Sequence, residues 1–571
     1  MNFVTPAGFR DVLSDEARVR EEMTHSVQQC FEARGYVPIE TPTLEVMDVL
    51  QAGGRMPAAP FKFFDSQGDL LAMRPDVTLQ VARMCATRLK GQPGPFRFRY
   101  TQRVFRETES EMQAAARELT QMGIECIGED GPAADAEMVG LLAEALQTCG
   151  VEGFKLAIGT VGVLRALLER SGAPEAWREL VLQAYHTSNF VDLGVLCSDG
   201  TADEAFSAAI EELPRIRGGK GAIDEVRSLV SPLGCVDGLD SFEKTYDLLA
   251  QAGLAESIVV DFSVMSSFDY YTGIVVEAYA PGLGSPLGSG GRYDNMLAAY
   301  GQSRPAAGFA FSLEQVMAAQ AANTACESGE ASAMAADRES AAADRASSAG
   351  IGATSKRPLR IAVPKGSLNA DTIAALASAG LDTTGLDDPG RQLIISNPGV
   401  DYIIVRPTDA PAFVALGAAD CGICGKDSLL EADPDVVELV DLGFGACRFV
   451  VAEPAGAGPS VEEHYRRLGS IRVATKYPNI TSAYYAKAGM QVEIVKLHGN
   501  IELAPLTGMA ERIVDITATG TTLRENNLSI VDEVLASTAR FFANTCAFRT
   551  DARIVELTKA LQGRSLRGSQ E

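Results

Sequence analysis

Histidine is scarce in this chain: four in 571 residues, at His25, His186, His464 and His498. That excludes histidine-rich metal chemistry, and each of the four reads as a surface or packing residue. A surplus of positive charge is also missing. Fifty lysines and arginines stand against 75 aspartates and glutamates, a formal net charge of −25. This argues against a general binder of nucleic acid or membrane surfaces, because phosphate backbones select basic faces. A local basic pocket for a small phosphorylated ligand is still allowed. No apolar run reaches the roughly 18 residues of a membrane span, and the opening MNFVTPAGFRDVLSDE lacks the apolar stretch of a secretory signal, so the chain reads as cytoplasmic. Nor is there a disulfide framework: the 11 cysteines are scattered, as expected in a reducing compartment. Cys421 and Cys424 have C-x-x-C spacing, but no second pair accompanies them and their surroundings are apolar. They read as core rather than as a metal or redox site.

What is present is ordinary globular composition, 46% hydrophobic and 22% charged, in a chain too long for one core. Three to four structural domains are expected. Residues 317–357 form a small-residue, polar tract with almost no bulky apolar side chains. Such a segment cannot bury enough surface to offset its ordering entropy and reads as a linker, with some helix in its Ala/Glu/Arg portion. The expected division is therefore 1–316, the linker 317–357, and 358–571, with a second lobe of the last part at about 453–537.

Before the linker, an amphipathic helix is predicted over Glu16 to Arg34, and PFRFRYTQRVFRE, SIVVDFSV and GIVVEAYA read as strands. Strands outnumber crossover helices, which predicts an α+β domain on an antiparallel sheet, with mostly helical residues 135–255 packed outside it. After the linker the pattern alternates. Strand LRIAVP, helix SLNADTIAALASAG, strand VDYIIVRP, helix TDAPAFVALGA and strand ADCGICG are followed by the same rhythm through IRVATKYPN, VEIVKLHG and RIVDITATG. This predicts a two-lobed α/β part with parallel sheets and ligands gathered at the carboxyl ends of strands.

Chemistry concentrates at those ends. In DITATGTTLREN a strand ends in Asp515, and the loop supplies Thr519, Gly520, Thr521 and Thr522 before a predicted helix over TLRENNLSIVDEV. Backbone N–H groups at a strand–loop–helix junction suit a phosphate. The hydroxyls add donors, Gly520 permits close approach, and Asp515 can accept hydrogen bonds from a vicinal diol. Phosphate plus diol is a ribose 5-phosphate; a threonine-rich helix cap is the bland alternative. VPKGSL places Lys365 and Gly366 after the first strand, without the earlier glycine of a P-loop. Arg391 in DDPGRQL and Arg406 in IIVRPTD are fork-shaped cations that recognise pyrophosphate or carboxylate. Lys426 and Asp427 in GKDSLLE, and Thr475 and Lys476 in ATKYPN, follow further strands. Each cation alone is more often solvated surface; their repetition at strand ends is the signal.

The motifs IAVPKGSL, GRQL, VRPTD, GAADCGICGKDSLLE, RVATKYPNITSAYY, VEIVKLHGNIELAPLTGMAERIVDI and TATGTTLRENNL, across 359–550, closely resemble ATP phosphoribosyltransferase. That family opens histidine biosynthesis, joining N1 of ATP to phosphoribosyl pyrophosphate with Mg²⁺ and releasing pyrophosphate. The resemblance implies a two-lobed, periplasmic-binding-protein-like transferase in which Asp515 to Thr522 hold the ribose 5-phosphate. Lys365, Arg391 and Arg406 are then the catalytic candidates, and Gly366, Lys426, Asp427, Thr475 and Lys476 surround ATP and pyrophosphate. No protein side chain is assigned to the metal. Ser367 departs from the arginine of many relatives. Because the chain stops near residue 571, it is similar to the short form, which depends on a separate regulatory subunit.

In residues 4–316, GYVPIETPTLE, AMRPDVT, FRFRYTQRVFRETE, ELTQMGIECIG, FDYYTGIVVEAYAPG, GSGGRYDNML and GFAFSLEQV resemble histidyl-tRNA synthetase, implying a class II antiparallel sheet. Two positions depart. Ser266 and Ser267 replace an Arg–Gly pair, and Gln315 replaces an arginine, removing cations that would meet ATP phosphates or the activated carboxylate. No room is left for an anticodon-binding domain before the linker. This half therefore looks like the ATP phosphoribosyltransferase regulatory subunit. Asp76, Thr78, Arg106, Gln121, Glu125, Tyr270 and Tyr271 sit at positions that contact histidine in the synthetase. The expectation is a natural fusion of regulatory and catalytic subunits, a homo-oligomer in which one half binds histidine and inhibits the other. The competing expectations are an active histidine–tRNA ligase and a non-catalytic two-lobed ligand-binding protein.

Overall fold

The computed structural model describes residues 4–53, 59–107, 116–264, 270–322, 357–517 and 520–568. Ser266, Ser267, Thr519 and most of the 317–357 tract lie outside them. The chain forms two compact units. The first comprises the residues before the tract together with Thr545–Thr550, and the second comprises the remainder of the later sequence.

The first unit is built on a nine-stranded sheet. Its spatial order is Val37–Pro38, Phe96–Phe105, Glu118–Ile127, Ala306–Ser312, Gly288–Arg292, Ile274–Tyr279, Lys155–Thr160, Ile258–Asp261, Arg217–Gly218. Pairing is antiparallel except between Val37–Pro38 and Phe96–Phe105 and between Lys155–Thr160 and Ile258–Asp261. The period-two pattern decides which residue faces which core. Met122, Ile124 and Cys126 join the core formed with the helices Ser14–Ala33 and Pro132–Thr148, whereas Tyr100, Val104 and Ile127 belong to a second core. Gln121, Gly123 and Glu125 share the face of Ile127, which is where the candidate histidine contacts fall. Residues 135–255 are mostly helical as expected, but Lys155–Thr160 is a nearly buried strand inside the sheet. Six residues are too few for a helix in a chain that must cross the core, and an extended conformation buries both faces of KLAIGT.

Thr545–Thr550 is a short helix that completes this unit. Cys546 belongs to the second core, and Phe548 packs edge-on to Phe190 at 6.1 Å. Arg549 lies 5.5 Å from the Tyr279 ring, and its guanidinium shares the fully buried Asp261 carboxylate with Arg217, at 3.6 and 3.0 Å.

The second unit has two sheets. In the six-stranded sheet the order is Ile394–Asn397, Val400–Val405, Leu359–Pro364, Cys421–Gly425, Ala539–Asn544, Val436–Asp441. In the five-stranded sheet it is Val492–Lys496, Ile471–Thr475, Arg512–Thr517, Cys447–Pro454, Leu528–Ser537. Each has three adjacent parallel strands, but antiparallel strands complete both, so the sheets are mixed rather than purely parallel. The helix predicted over TLRENNLSIVDEV is also corrected. It covers only Thr521–Glu525, and Leu528–Ser537 is a strand. Asn527, in the left-handed region at φ 55°, ends the helix, and the β-branched Ile530 and Val531 then favour extension. The chain crosses between sheets twice, from Asp441 to Cys447 and again at Thr538.

Candidate functional sites

In the first unit a buried carboxylate pair organises the expected histidine contacts. Asp76 accepts a hydrogen bond from the Thr78 backbone N–H at 2.7 Å and one from the Gln121 amide at 2.8 Å. The Gln121 carbonyl oxygen accepts from the Val77 N–H at 3.1 Å, which locks the amide orientation. The Thr78 hydroxyl donates to Glu125 at 2.6 Å, and Tyr100 and Tyr293 donate to the same carboxylate. Glu125 is 1% exposed. Burial pushes its carboxyl well above the ordinary range; the Thr78 hydrogen bond opposes the shift and the charge of Asp76 adds to it. The Tyr270 and Tyr271 rings lie 4.9 Å apart, with Tyr293 edge-on to Tyr270 at 5.8 Å. Arg106 donates to the Pro75 carbonyl at 3.2 Å. All seven expected residues thus fall on one neighbourhood of the sheet and the segment beside it. Tyr100 and Tyr293 were missed, although FRFRY and GGRYD contain them; Tyr100 pairs with Gly123, on the face that carries Gln121 and Glu125. Gln315 lies just beyond the Ala306–Ser312 strand, its backbone N–H donating to Ser312.

In the second unit the expected residues divide. Lys365, Arg406 and Lys426 each follow directly on one of the three parallel strands of the six-stranded sheet, and therefore share its carboxyl edge. Lys365 and Arg406 are exposed, and Gly366 turns the chain at φ 85°. Lys476 follows the parallel strand Ile471–Thr475 of the other sheet; Asp515, expected to end its strand, instead lies within Arg512–Thr517, which runs two residues further before the Gly520 loop. Arg391 is different. It is exposed on the turn that leads into an edge strand rather than out of a parallel one. Asp427 is 9% exposed and accepts from the Ser537 hydroxyl at 2.7 Å, so its carboxylate supports the crossover between sheets. Thr475 is fully buried and accepts from the Tyr477 N–H at 2.9 Å, which shapes the loop that carries Lys476.

Tyr477 marks where the two sets meet: burial pushes its hydroxyl up, and the nearby charges of Asp427 and Asp515 push it the same way. The Lys476 ammonium lies 5.7 Å from the Tyr477 ring. Asp515 has its carboxyl pushed up to about 6 by burial, with the Ile516 N–H and the charge of Lys476 pulling it down and Glu502 pushing it up. After it, the Gly520 N–H donates to the Thr517 hydroxyl at 2.8 Å, and Gly520 adopts φ 70°. A side chain there would be strained. Thr521 and Thr522 are exposed at the start of the short helix. Five residues give little macrodipole, so phosphate affinity here would rest on the loop N–H groups and hydroxyls.

Cys421 and Cys424 occupy one strand, where a spacing of three puts their side chains on opposite faces. Both are fully buried, and burial pushes both thiols up. They are core residues. Among the described residues no group of three or more His, Cys, Asp or Glu side chains is placed to hold a metal, and no helix is long and apolar enough to cross a membrane.

Comparison with known proteins gives a different answer for each half of the sequence. The histidyl-tRNA synthetase family model matches residues 8–316, and the ATP phosphoribosyltransferase family model matches residues 406–563. An ATP phosphoribosyltransferase of Rubrobacter xylanophilus is 51% identical over 193 residues, 34% of this chain and 89% of the relative. An ATP phosphoribosyltransferase regulatory subunit of Moorella thermoacetica is 36% identical over 319 residues, 55% of this chain and 81% of the relative. Among solved structures, an ATP phosphoribosyltransferase regulatory subunit/histidyl-tRNA synthetase from Bacillus halodurans is 25% identical with a TM-score of 0.53, covering 71% of this chain and 98% of its own. The chain therefore belongs to two families at once, to the histidyl-tRNA synthetase family through its ATP phosphoribosyltransferase regulatory subunit half and to the ATP phosphoribosyltransferase family through the half that follows.

Proposed function

We propose that the second unit, a two-lobed transferase with the character of a periplasmic binding protein, condenses ATP with phosphoribosyl pyrophosphate at the meeting point of its two sheets. One observation carries this reading. Cations follow the parallel strands of one sheet, Asp515 lies in the last residues of a parallel strand of the other with the Gly520 loop after it, and Tyr477 lies within electrostatic reach of carboxylates from both. N1 of adenine attacks C1 of the ribose, the C1–N1 bond forms as the C1–O bond breaks, and pyrophosphate departs with the bonding pair. No side chain need act as nucleophile. The contribution of Lys365, Arg406, Lys426 and Lys476 is positive charge around the triphosphate and the leaving group as negative charge develops there. Mg²⁺ arrives with the pyrophosphate as part of the substrate and neutralises the same charge. Asp515 accepts hydrogen bonds from the ribose diol, and the Gly520–Thr522 loop, with Thr519, receives the 5-phosphate. Arg391, on its exposed turn, would join only if that turn closes over bound substrate.

The first unit is read as the histidine sensor. Asp76 and Glu125 supply acceptors for an ammonium or imidazolium, Gln121 and Thr78 fix them, Arg106 is the carboxylate partner, and Tyr270 and Tyr271 border the space. Fusion holds sensor and enzyme at equal stoichiometry and high effective concentration in a cytoplasmic homo-oligomer. The test is formation of phosphoribosyl-ATP by the full chain with and without histidine. Product that falls as histidine rises is expected, and Gln121→Ala should raise the histidine concentration needed by at least about ten-fold, the scale of a lost hydrogen bond to a charged group. Activity indifferent to histidine would remove the sensor role. No product from folded protein with Mg²⁺ would remove the enzyme role.

A further inference from the structure

The helix Pro478–Lys487 begins immediately after the Thr475–Lys476–Tyr477 loop, and no side chain of its own neighbourhood caps it. Four N–H groups at a helix start need partners. Pro478 has no N–H to satisfy, and the Asn479 and Ile480 N–H groups find their acceptor on a helix that follows a strand of the other sheet. Glu431, on the helix Lys426–Ala432 that follows the Cys421–Gly425 strand, accepts from the Asn479 N–H at 3.2 Å through one carboxylate oxygen and from the Ile480 N–H at 3.1 Å through the other. The Asn479 side-chain amide donates in the same direction, to the Glu431 backbone carbonyl, at 2.8 Å. Three hydrogen bonds thus tie the helix carrying Lys426 to the helix carried by the Lys476 loop, and one of those helices belongs to each sheet. Burial pushes the Glu431 carboxyl up, and these same N–H donors oppose the shift without cancelling it.

We propose that Glu431 is a positioning residue for the transfer reaction: by capping the Pro478–Lys487 helix from across the cleft, it sets the separation of the two lobes and the approach of Lys476 and Tyr477 to the reacting phosphates. It touches no substrate itself. The inference rests on the reading that the two sheets each hold part of the substrate pair. If so, losing the cap loosens the geometry in which N1 meets C1, and the effect belongs in kcat, because each substrate still binds its own lobe.

The experiment uses the full chain with Glu431→Ala, Glu431→Gln and Asn479→Ala, each checked for folding by circular dichroism and Tm. Steady-state kcat is measured at saturating ATP and phosphoribosyl pyrophosphate, with the affinity for each substrate measured separately by equilibrium titration. Peptide-level hydrogen exchange is followed across 477–483. Glu431→Ala is expected to lower kcat by roughly ten-fold, the scale of a lost helix cap, with each affinity within about two-fold, and to speed exchange at Asn479 and Ile480 by a similar factor. Glu431→Gln, which keeps one acceptor, should recover most of kcat. Asn479→Ala, which removes only the side-chain bond to the Glu431 carbonyl, should fall between. An unchanged kcat in both alanine variants of an active enzyme overturns the proposal, as does a loss confined to substrate affinity. Should the wild-type chain make no product, the transferase reading fails, and exchange alone decides the contact: unaltered protection in Glu431→Ala overturns it.

Discussion

Asp515 shows how one side chain can set the working range of the enzyme half. Burial holds its carboxyl at about 6, so at neutral pH it is ionised and able to accept two hydroxyls of a ribose. Below that value it carries a proton and becomes half a donor. The affinity for phosphoribosyl pyrophosphate is therefore expected to weaken as pH falls through about 6. In Asp515→Asn the KM should be raised by roughly ten-fold at neutral pH, and its dependence on pH across that window should flatten; KM measured from pH 5 to 8 checks both. For stability the sign is the opposite of that for a salt-bridged acid. The native state keeps this proton longer than the unfolded chain does, so the contribution of Asp515 to stability declines as pH rises from the ordinary value of 3.8 towards about 6.

At the scale of elements, the regulatory-subunit half depends on close backbone packing between neighbouring strands. Gly308 in Ala306–Ser312 pairs with Glu125 in Glu118–Ile127, and a Cβ on it would strike the Glu125 carboxylate and the Ile124 carbonyl. Gly308→Ala should therefore displace Glu125, cost roughly 1–3 kcal/mol of stability by overpacking and abolish histidine binding, as calorimetry on the variant would show. Such elements were legible in unequal measure. Alternation of aromatic and basic residues revealed Phe96–Phe105, and apolar runs before glycine or cation revealed the parallel strands that carry Lys365, Arg406 and Lys426. The strand Lys155–Thr160 was hidden among helices because KLAIGT, with three apolar side chains in a row, is too short to show a period of its own. Leu528–Ser537 was hidden because its approach, TLREN, does form a turn of helix. The site followed the same division. Lys476 and the Gly520 loop were readable because local sequence places them. The engagement of Asp427 with Ser537 was not, since the two are 110 positions apart and nothing local demands it.

Considered as a whole molecule, the first unit is discontinuous in sequence. Arg549 is 5% exposed in side chain and helps to neutralise Asp261, which is fully buried. Arg549→Leu leaves that carboxylate with Arg217 as its remaining arginine and should cost roughly 3 kcal/mol, the scale for breaking a buried ion pair from one side. Differential scanning calorimetry of the full chain should show the loss as a lowered transition for the first unit; an unchanged transition would mean that the segment adds no stability to it. The discontinuity also orders events on the ribosome. Residues up to 322 emerge first, yet the piece that closes their core is made about 230 residues later, a wait on the order of ten to fifty seconds at ordinary rates of synthesis. Through that interval the nascent first unit has an open seam where Cys546, Phe548 and Arg549 will lie, so this protein finishes its first domain only as it finishes its last.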